Sequence, residues 1–375
     1  MMKAIVYSGP GEKALVDVPK PHIEQPTDAL IRITRSTICG TDLHILKGDV
    51  PEVKPGTVLG HEGVGIVEEC GPSVTGVRPG DHVILTCINS CLHCDFCRRG
   101  MYSHCTVGGW ELGHRINGTQ AEYVRVPLAD GSLLKIPEGM DEDALVLLSD
   151  IFPTGLECGV LNGQVQPGCT VAVIGAGPVG LAALITAQLF TPARLIALDL
   201  DPSRLEKARE LGATDIINTR DGPARTCEAV KALTGGLGAD TVIEAVGIPA
   251  TFELAQVDSP PSDNWPRFIP LPCSPPMSQD LVAPGGHIAN IGVHGKPVSL
   301  HLEHLWSHNI AIATRLVDTC SAPMLLRLVK AGKLNPACLI THRFELAQAM
   351  EAYDCFINAS QTHALKVIIR SPGPR

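Results

Sequence analysis

The segment 169–199 restricts the possible fold more than any other part of this 375-residue chain. An apolar, β-branched run leads into Gly175-x-Gly177-x-x-Gly180, an apolar helical pattern follows, and a second apolar run ends at Asp199. A glycine pattern between a strand and a helix, with an acid about 20 residues further on, is typical of a βαβ unit that binds a dinucleotide. The first two glycines permit the tight turn and the approach of a pyrophosphate, and the third permits close packing of helix on strand.

Pro178 and Val179 complete the turn at the start of the predicted helix, where unpaired backbone N–H groups and the helix dipole favour phosphate. Asp199 is expected to accept hydrogen bonds from both hydroxyls of a ribose, and its charge would repel a 2′-phosphate. The sequence therefore predicts NAD rather than NADP as the cofactor. The alternative is a glycine-rich turn in an unrelated α/β sheet.

Strand and helix patterns alternate beyond Asp199, as expected of a doubly wound parallel sheet. We assign this dinucleotide-binding domain to residues 151–315. Residues 1–150 differ, because short β-branched runs punctuated by proline and glycine predict a β-rich, irregular, barrel-like domain. Residues 316–375 carry one or two helical patterns and a last strand, and we expect them to return to the first domain.

The composition argues against several classes of function. The formal net charge is −9 and no basic block is present, which argues against nucleic acid or an anionic membrane as a partner. No apolar run reaches ~18 residues, so no transmembrane helix is expected, and the N-terminus lacks the long apolar region of a signal peptide. Fourteen cysteines in a chain without such a leader predict metal ligation and free thiols in a reducing cytoplasm.

Three distant residues are predicted to share one catalytic zinc ion. His61 and Glu62 stand side by side in a glycine-flanked stretch, with Cys39 upstream and Asp150 downstream. Three protein ligands, here Cys39, His61 and Asp150, with one open position are the pattern of catalytic zinc. Taken alone, His61 would more often be an ordinary core histidine, but its potential partners favour a metal ligand.

A second metal site is predicted from Cys91, Cys94, Cys97 and Cys105, whose spacing is C-x2-C-x2-C-x7-C. Four thiolates on one short lobe, residues 91–105, suit a closed tetrahedral structural zinc site. An iron–sulfur cluster is an alternative, because three cysteines at this step also occur there, and four buried free thiols are another. The single set of cysteines and the missing proline after the last one weigh against the cluster. We therefore expect two zinc ions per chain, one catalytic and one structural.

The segment 257–279 breaks the alternating pattern, since it contains seven prolines and no helical period. Proline cannot continue a helix, so the helix predicted from Ala250 to Gln256 must stop or loop out there. One interpretation is a surface excursion. Another is a translated in-frame intron, because joining Gln256 to Asp280 would restore one amphipathic helix.

Together these motifs resemble the zinc-containing medium-chain alcohol dehydrogenases over nearly the whole chain apart from 257–279. The resemblance rests on several independent motifs in the right order, which are Cys39-Gly-Thr41-Asp-Leu-His44, Gly60-His61-Glu62-x-x-Gly65, the four-cysteine lobe, Asp150-Ile-Phe-Pro-Thr154-Gly and the glycine fingerprint with Asp199. It implies a catalytic domain built from both chain ends and a Rossmann domain between them. Within the family the chain resembles microbial secondary-alcohol and short-chain alcohol dehydrogenases, and the stretch 148–155 also resembles formaldehyde dehydrogenases and dismutases.

The resemblance also assigns roles around the catalytic zinc. Glu62 is expected beside the metal and able to approach it during ligand exchange; the alternative is a buried acid paired with a basic side chain. Asp42 is expected to hydrogen-bond the distal nitrogen of His61. Thr41 and His44 are expected to carry the substrate's proton out of the closed site, since a hydroxyl beside the metal and a surface imidazole can form a relay. The alternative for His44 is a solvated surface histidine.

The remaining site residues are assigned by resemblance alone. Thr154 is expected to pack on the nicotinamide. Arg204 is expected over the adenosine ribose and Lys366 at the pyrophosphate, the alternative being that both are solvated charges. The positions expected to line the substrate pocket are Cys87, Trp110 and Val293. Trp110 would narrow this pocket in favour of small alcohols or else be plain core packing, and Val293 is also counted among the cofactor contacts.

These expectations combine into an NAD-dependent zinc alcohol dehydrogenase that reversibly oxidises small primary or secondary alcohols to aldehydes or ketones. Asp150 stands where many vertebrate-type members have a cysteine ligand, which leaves the preference among alcohols open. The alternatives are a formaldehyde dehydrogenase or dismutase that keeps its cofactor bound, a zinc-free quinone-reducing or binding relative, and an inactive protein in which 257–279 prevents folding. The resemblance implies a homo-oligomer, with a tetramer favoured over a dimer.

Overall fold

The computed structural model describes residues 1–252 and 277–371, and strands occur in both ranges. In chain order the strands are β1 (Met2–Gly9), β2 (Glu12–Val18), β3 (Ala29–Ile38), β4 (Gly63–Cys70), β5 (His82–Leu85), β6 (Tyr123–Val126), β7 (Leu133–Lys135), β8 (Thr170–Ile174), β9 (Arg194–Asp199), β10 (Asp215–Asn218), β11 (Ala239–Glu244), β12 (Val282–Asn290), β13 (Ala311–Thr314), β14 (Ile340–Glu345) and β15 (Lys366–Arg370).

The helices are short. They are α1 (Gly40–Lys47), α2 (Asp95–Arg98), α3 (Glu142–Leu145), α4 (Ile151–Thr154), α5 (Pro178–Ala187), α6 (Pro202–Glu210), α7 (Pro223–Leu233), α8 (Pro249–Phe252), α9 (Met277–Leu281), α10 (Leu302–Leu305), α11 (Ala322–Lys330), α12 (Ala349–Ile357) and α13 (Ala359–Thr362), with a π-helical stretch at Gly155–Leu161. Among the described residues no single helix is long and apolar enough to cross a membrane; the bent pair Glu142–Leu148 and Ile151–Leu161 meets that length and composition only when its members are taken together.

The chain divides into two units. The first unit consists of Met1–Pro153 and Val317–Arg375, and the second of Thr154–Leu316. The first is therefore discontinuous in sequence, whereas the second is a single stretch. The two units meet in sequence at 153/154 and 316/317, whereas the sequence predicts boundaries at 150/151 and 315/316.

The first unit is organised around β3. Its main sheet has the order β14-β15-β3-β4-β5-β7, β6 also pairs with β3, and β1 and β2 form a hairpin. β15 pairs antiparallel with β3, with Val367 opposite Ile38, so the last described strand joins the sheet built by the first part of the chain. β14 and β15 are parallel, which makes the sheet mixed. The prediction of a β-rich domain is confirmed, in the form of this mixed sheet.

One carboxylate holds three strands of the first unit together. Asp143 in α3 accepts hydrogen bonds from Arg35 of β3, from Nε of Arg343 in β14 at 2.7 Å and from Nη2 of Arg370 in β15 at 2.6 Å. Burial raises the pKa of Asp143, but the three guanidinium groups outweigh burial and lower that pKa to about 2. The Asp143 side chain is 4% exposed, so it forms an ionised anchor that is largely shielded from water.

The second unit contains a six-stranded sheet in the order β10-β9-β8-β11-β12-β13, and every neighbouring pair is parallel. The predicted doubly wound parallel sheet is therefore confirmed. Its central strand β8 is almost entirely buried, as an apolar strand covered on both faces requires. The strand order reverses between β8 and β11, and ligands of such sheets bind at the carboxyl ends of the strands beside this reversal.

Backbone conformation explains one of the three fingerprint glycines between β8 and α5, and close packing explains another. Gly175 has a φ of +93°, a conformation that side chains rarely tolerate. A Cβ atom on Gly180 would stand 1.8 Å from the carbonyl oxygen of Gly175, so the helix start and the turn can approach only without a side chain there. A Cβ atom on Gly177 would meet nothing within 4 Å, so this position faces open space.

The predicted interruption at 257–279 lies largely outside the described residues. α8 ends at Phe252, and 277–279 belong to α9. The side-chain amide of Gln279 donates to the carbonyl oxygens of Phe252 at 3.4 Å and Ser299 at 3.2 Å, so the two short helices that flank the segment are neighbours. The continuation of the predicted helix beyond Phe252 and the intron hypothesis concern residues outside the described ranges.

Replacing Asp143 by Asn should destabilise the protein by about 2 kcal/mol at neutral pH, because lowering a pKa from 3.8 to about 2 corresponds to that free energy. Since the pKa is lowered in the folded state, the carboxylate's contribution is complete above about pH 4 and is lost as the pH falls toward 2. Denaturant unfolding of wild type and Asp143→Asn between pH 2 and 7 measures the difference. The variant Glu138→Gln, which neutralises an exposed carboxylate, is the control; a difference independent of pH would contradict this account.

Gly180→Ala should lower the free energy of unfolding by about 1–3 kcal/mol or more, since its Cβ collides with a backbone oxygen that cannot rotate away. Gly177→Ala is the matched control. It adds the same atom in open space, and because Ala is a poorer N-cap than Gly its cost should stay below about 1 kcal/mol. Urea unfolding of both variants measures the contrast, and equal losses would show that the packing at Gly180 is not limiting.

Candidate functional site

Turns at strand and helix ends bring the candidate metal ligands together in the first unit. Cys39 follows β3 as the N-cap of α1, His61 and Glu62 directly precede β4, and Asp150 directly precedes α4. One donor atom from each of these four residues lies within 4.8 Å of the others. Nε2 of His61 is 3.1 Å from Oδ2 of Asp150, and Sγ of Cys39 is 4.0 Å from the same oxygen. The three predicted ligands are therefore neighbours in the structure.

The donor set fits a zinc ion. Ligand atoms bound to tetrahedral zinc at about 2.0–2.3 Å stand roughly 3.3–3.8 Å apart, and the two separations above bracket that range. Burial lowers the pKa of His61, but hydrogen bonding to Asp150 and Cys39 outweighs burial and holds that pKa well above its ordinary value. Cys39 and Asp150 thus create a place that favours positive charge, which a divalent ion would supply more fully than a proton.

Glu62 is held by two buried partners. Its Oε1 is 2.6 Å from Nζ of Lys366, and its Oε2 accepts from the hydroxyl of Thr37 at 2.7 Å. Burial lowers the pKa of Lys366, but the charges of Glu62 and Cys39 outweigh burial and raise that pKa, so the ammonium form of Lys366 is favoured. Of the two interpretations of Glu62, the buried acid paired with a basic side chain matches this geometry, although its carboxylate also lies among the metal donors.

The assignment of Lys366 to a pyrophosphate needs correction. Its side chain is 1% exposed and lies inside the first unit against Glu62, which is equally buried. An ammonium group in such surroundings requires its carboxylate partner, because an isolated buried charge costs several kcal/mol. Lys366 therefore pairs with Glu62 beside the candidate metal ligands. Its ammonium group is not available to a phosphate, and it is not a solvated charge.

Asp42 does not make the predicted hydrogen bond to His61. Its Oδ2 accepts from the backbone N–H of Cys39 at 2.8 Å and from the side-chain amide of Gln120 at 3.1 Å, while Oδ1 has no hydrogen-bond partner among the described residues. Asp42 occupies the third position of α1, from which its carboxylate reaches back to the helix start. Gln120 in turn accepts from the hydroxyl of Tyr353 at 2.8 Å, and no sequence motif revealed either residue.

Thr41 and His44 lie along α1 beside the cluster. Oγ1 of Thr41 is 3.7 Å from Sγ of Cys39, so this hydroxyl stands next to a metal donor. Nδ1 of His44 is 2.9 Å from Oδ2 of Asp49, and the His44 side chain is 29% exposed, so its ring reaches water with one nitrogen engaged. These positions are compatible with both ends of a proton relay, which stays a prediction.

The four lobe cysteines also converge. One sulfur from each of Cys91, Cys94, Cys97 and Cys105 lies within 4.8 Å of the others. Backbone N–H groups point at three of these sulfurs: Cys94 N donates to Cys91 at 3.3 Å, Cys97 N to Cys94 at 3.5 Å and Cys91 N to Cys105 at 3.3 Å. Hydrogen bonds from backbone amides, that of Cys97 first, lower the pKa of Cys94 to about 6. Burial, however, raises the pKa of Cys97 to about 12 and also raises the pKa of Cys105. Cys94 therefore favours the thiolate form that binds metal, whereas a bound cation would be needed to hold the two buried sulfurs deprotonated.

The glycine turn and Asp199 form one structural feature of the second unit. Oδ2 of Asp199 accepts from the backbone N–H of Ala176 at 2.6 Å, so the acid at the end of β9 lies against the turn after β8. The open space at Gly177 lies at the N-cap of α5, where a phosphate would fit. Arg204 lies in the first turn of α6, half-buried, and its charge helps to lower the pKa of Asp201.

The predicted pocket residues differ in their surroundings. Cys87 is buried. Trp110 meets His61 edge-on, with ring centroids 6.2 Å apart, stacks on His114 at 4.2 Å and packs against the core of the first unit. These contacts match the core-packing alternative, and the narrowing of a substrate pocket by Trp110 stays a prediction. Thr154 and Val293 belong to the second unit, where Val293 is 58% exposed.

Known families match both units. A model described as the alcohol dehydrogenase GroES-like domain matches residues 25–138, and one described as zinc-binding dehydrogenase matches residues 178–256. Together the two models cover more than half of the chain. The second begins at the glycine turn, and the first includes every candidate donor of both metal sites except Asp150.

Whole-chain relatives agree with these matches. An alcohol dehydrogenase of Cupriavidus necator is 36% identical over 390 residues, covering 99% of each protein. Among solved structures, the apo form of zinc dependent alcohol dehydrogenase 2 from Streptococcus pneumonia is 46% identical with a TM-score of 0.90, covering 100% of both chains. Alcohol dehydrogenase TADH from Thermus sp. ATN1 is 33% identical with a TM-score of 0.85, covering 99% of this chain and 100% of its own. The chain therefore belongs to the zinc-dependent medium-chain alcohol dehydrogenase family.

Proposed function

We propose that this protein is an NAD-linked alcohol dehydrogenase that reversibly oxidises small primary or secondary alcohols to aldehydes or ketones. The observation that carries the proposal is the cluster of Cys39, His61 and Asp150, whose donor atoms lie within 4.8 Å of one another beside the buried Glu62. Two anionic donors and one imidazole are a ligand set for catalytic zinc. A second zinc ion would be held by the four lobe cysteines, for two ions per chain.

The bound groups supply the chemistry: zinc would polarise the substrate's hydroxyl oxygen as a Lewis acid, and the nicotinamide would accept the hydride. Cys39, His61 and Asp150 would hold the ion, with the sulfur and the carboxylate as its anionic ligands. Lys366 and Thr37 hold both oxygens of Glu62, which fixes that carboxylate beside the three candidate ligands. Trp110 covers one side of His61, and with Cys87 it would limit the size of the alcohol.

Two features support NAD as the cofactor. Gly177 leaves space at the N-terminus of α5, where the helix dipole and unpaired N–H groups attract a pyrophosphate. Asp199 places a negative charge against that turn, which suits two ribose hydroxyls and repels a 2′-phosphate. Arg204 and Thr154 are the further contacts that we propose, to the adenosine ribose and to the nicotinamide respectively.

The proposal is tested by following NADH formation with ethanol, 2-propanol, 2-butanol and formaldehyde while zinc is quantified per chain. We expect turnover of at least one alcohol and two zinc ions per chain. Replacing Asp150 by Asn should remove one zinc ion and lower kcat/KM by at least about 10²-fold, since an anionic ligand is lost. Formaldehyde turnover without added NAD would instead indicate a dismutase, and activity without zinc would indicate a zinc-free reductase.

Asp199→Gly should raise kcat/KM for NADP relative to NAD by at least about tenfold, which corresponds to ~1.4 kcal/mol of relieved repulsion. Asp199→Asn retains the hydrogen bond to Ala176 and should shift the ratio in the same direction without disturbing the turn. Asp221→Asn, at an exposed carboxylate of the same unit, is the control. A wild-type enzyme that prefers NADP would overturn the assignment of the cofactor.

His44→Ala should lower turnover below pH 8 by up to about 10²-fold, because the proton released from the alcohol loses its outlet to solvent. Added imidazole should restore part of the rate by replacing the missing base. His22→Ala, which removes another exposed imidazole, should behave as wild type. Rates of His44→Ala that match wild type across this pH range would exclude His44 from the mechanism.

A further inference from the structure

The short stretch His301-Leu-Glu-His304 in the second unit brings together two imidazoles and a carboxylate that the proposed function does not use. His301 is the N-cap of α10, and Glu303 and His304 lie in its first turn. Nδ1 of His301 is 2.7 Å from Oε1 of Glu303, and Nε2 of His304 is 3.8 Å from the same oxygen. One donor atom from each of the three residues lies within 4.8 Å of the others.

These separations suit one shared cation. Nitrogen and oxygen donors bound to tetrahedral zinc at about 2.0–2.1 Å stand roughly 3.3–3.4 Å apart, and 2.7 Å and 3.8 Å bracket that distance. The hydrogen bond between His301 and Glu303 would be exchanged for two bonds to the ion. The adjustment needed is a rotation of three side chains, because one donor atom of each already lies within 4.8 Å of the others.

A cavity of about 240 Å³ adjoins this cluster and supplies further polar groups. Its lining includes His301 and His304 together with Asp280, His308 and Lys231. Asp280 would bring a carboxylate close to a cation bound there, and it also offsets the positive charge of Lys231. The cavity has ample volume for water molecules that would complete a coordination shell.

A buried glutamine side chain holds the backbone of the cluster at His301. Oε1 of Gln279 accepts from the N–H of His301 at 3.0 Å, and the same side chain donates to the carbonyl oxygens of Phe252 and Ser299. Gln279 is 5% exposed. The position of His301 is therefore set by a buried amide before any ion binds, which reduces the ordering needed on binding.

We propose that His301, Glu303 and His304 form a third metal site, which binds a divalent first-row transition-metal ion such as Zn²⁺. Imidazole donors select zinc, nickel, cobalt or copper, whereas calcium takes six to eight oxygen ligands and magnesium near-octahedral oxygen coordination. The side chains of Glu303 and His304 are 61% and 56% exposed, so the ion exchanges with solvent, unlike an ion enclosed by four thiolates. This site is independent of the proposed activity, and its ion would cross-link the start of α10.

The proposal is tested by equilibrium dialysis of the zinc-loaded protein against buffered micromolar Zn²⁺, with metal counted by mass spectrometry. Wild type should bind one more ion per chain than His304→Gln and Glu303→Gln. The variant His22→Gln removes an exposed imidazole elsewhere and should bind as many ions as wild type. Equal zinc content in wild type and His304→Gln would show that the proposal is wrong, and so would loss of the additional ion in His22→Gln.

A footprint on the wild-type chain gives a second answer that depends on no variant. Diethyl pyrocarbonate modifies accessible imidazoles, and peptide mass spectrometry reports each site. Micromolar Zn²⁺ should reduce modification of His301 and His304 at least about tenfold while leaving His22 unchanged, because a nitrogen bound to metal no longer reacts. Unchanged modification of His301 and His304 with zinc present would overturn the proposal even where the variants fail to fold.

Discussion

A buried ion pair joins the two ends of the first unit at the metal cluster. Glu62 immediately follows the ligand His61, and Lys366 opens the last described strand, yet Nζ and Oε1 are 2.6 Å apart and both side chains are 1% exposed. Removing either charge would strand the other, at a cost of about 3–5 kcal/mol. The pairing of β15 with β3 therefore does more than extend a sheet. It places the ammonium group of Lys366 against the Glu62 carboxylate beside Cys39 and Asp150.

Local patterns account for the features that sequence could predict. The glycine fingerprint, the lobe cysteines and the alternation of strand and helix each occupy a short stretch, and their geometry follows from turn and packing rules that act over a few residues. The convergence of Cys39, His61 and Asp150 spans a longer distance, and it could be predicted because each of the three lies in a motif that resembles those of the zinc-containing alcohol dehydrogenases.

The features that sequence missed depend on contacts between remote residues. Lys366 meets Glu62 across 304 positions, Tyr353 meets Gln120 across 233, and Arg370 meets Asp143 across 227. Neither a lysine in an apolar strand nor a glutamine before one carries a local signal for its partner. Asp42 shows the opposite case, in which a local contact replaced a predicted remote one. The resemblance predicted a hydrogen bond from Asp42 to His61, but the Asp42 carboxylate accepts from the backbone N–H of Cys39 at the start of its own helix.

Examples from the two units show contrasting uses of charge. In the first unit, Asp143 is withdrawn from water and compensated by three arginines. In the second, Asp199 and the cluster at α10 keep charged atoms at positions that solvent reaches. Shielded groups hold a geometry, whereas exposed groups can exchange their partners for a ligand.

The discontinuity of the first unit has a consequence for biosynthesis. Chains emerge from the ribosome N-terminal end first, and domains generally fold as they appear. Here β3 must wait for its neighbour β15, which begins at Lys366, whereas Thr154–Leu316 is complete some fifty residues earlier. The nascent protein thus finishes its second unit before its first. Until then residues 35–38 of β3 lack their partner strand and are open to other chains, an interval in which a holding chaperone would be of use.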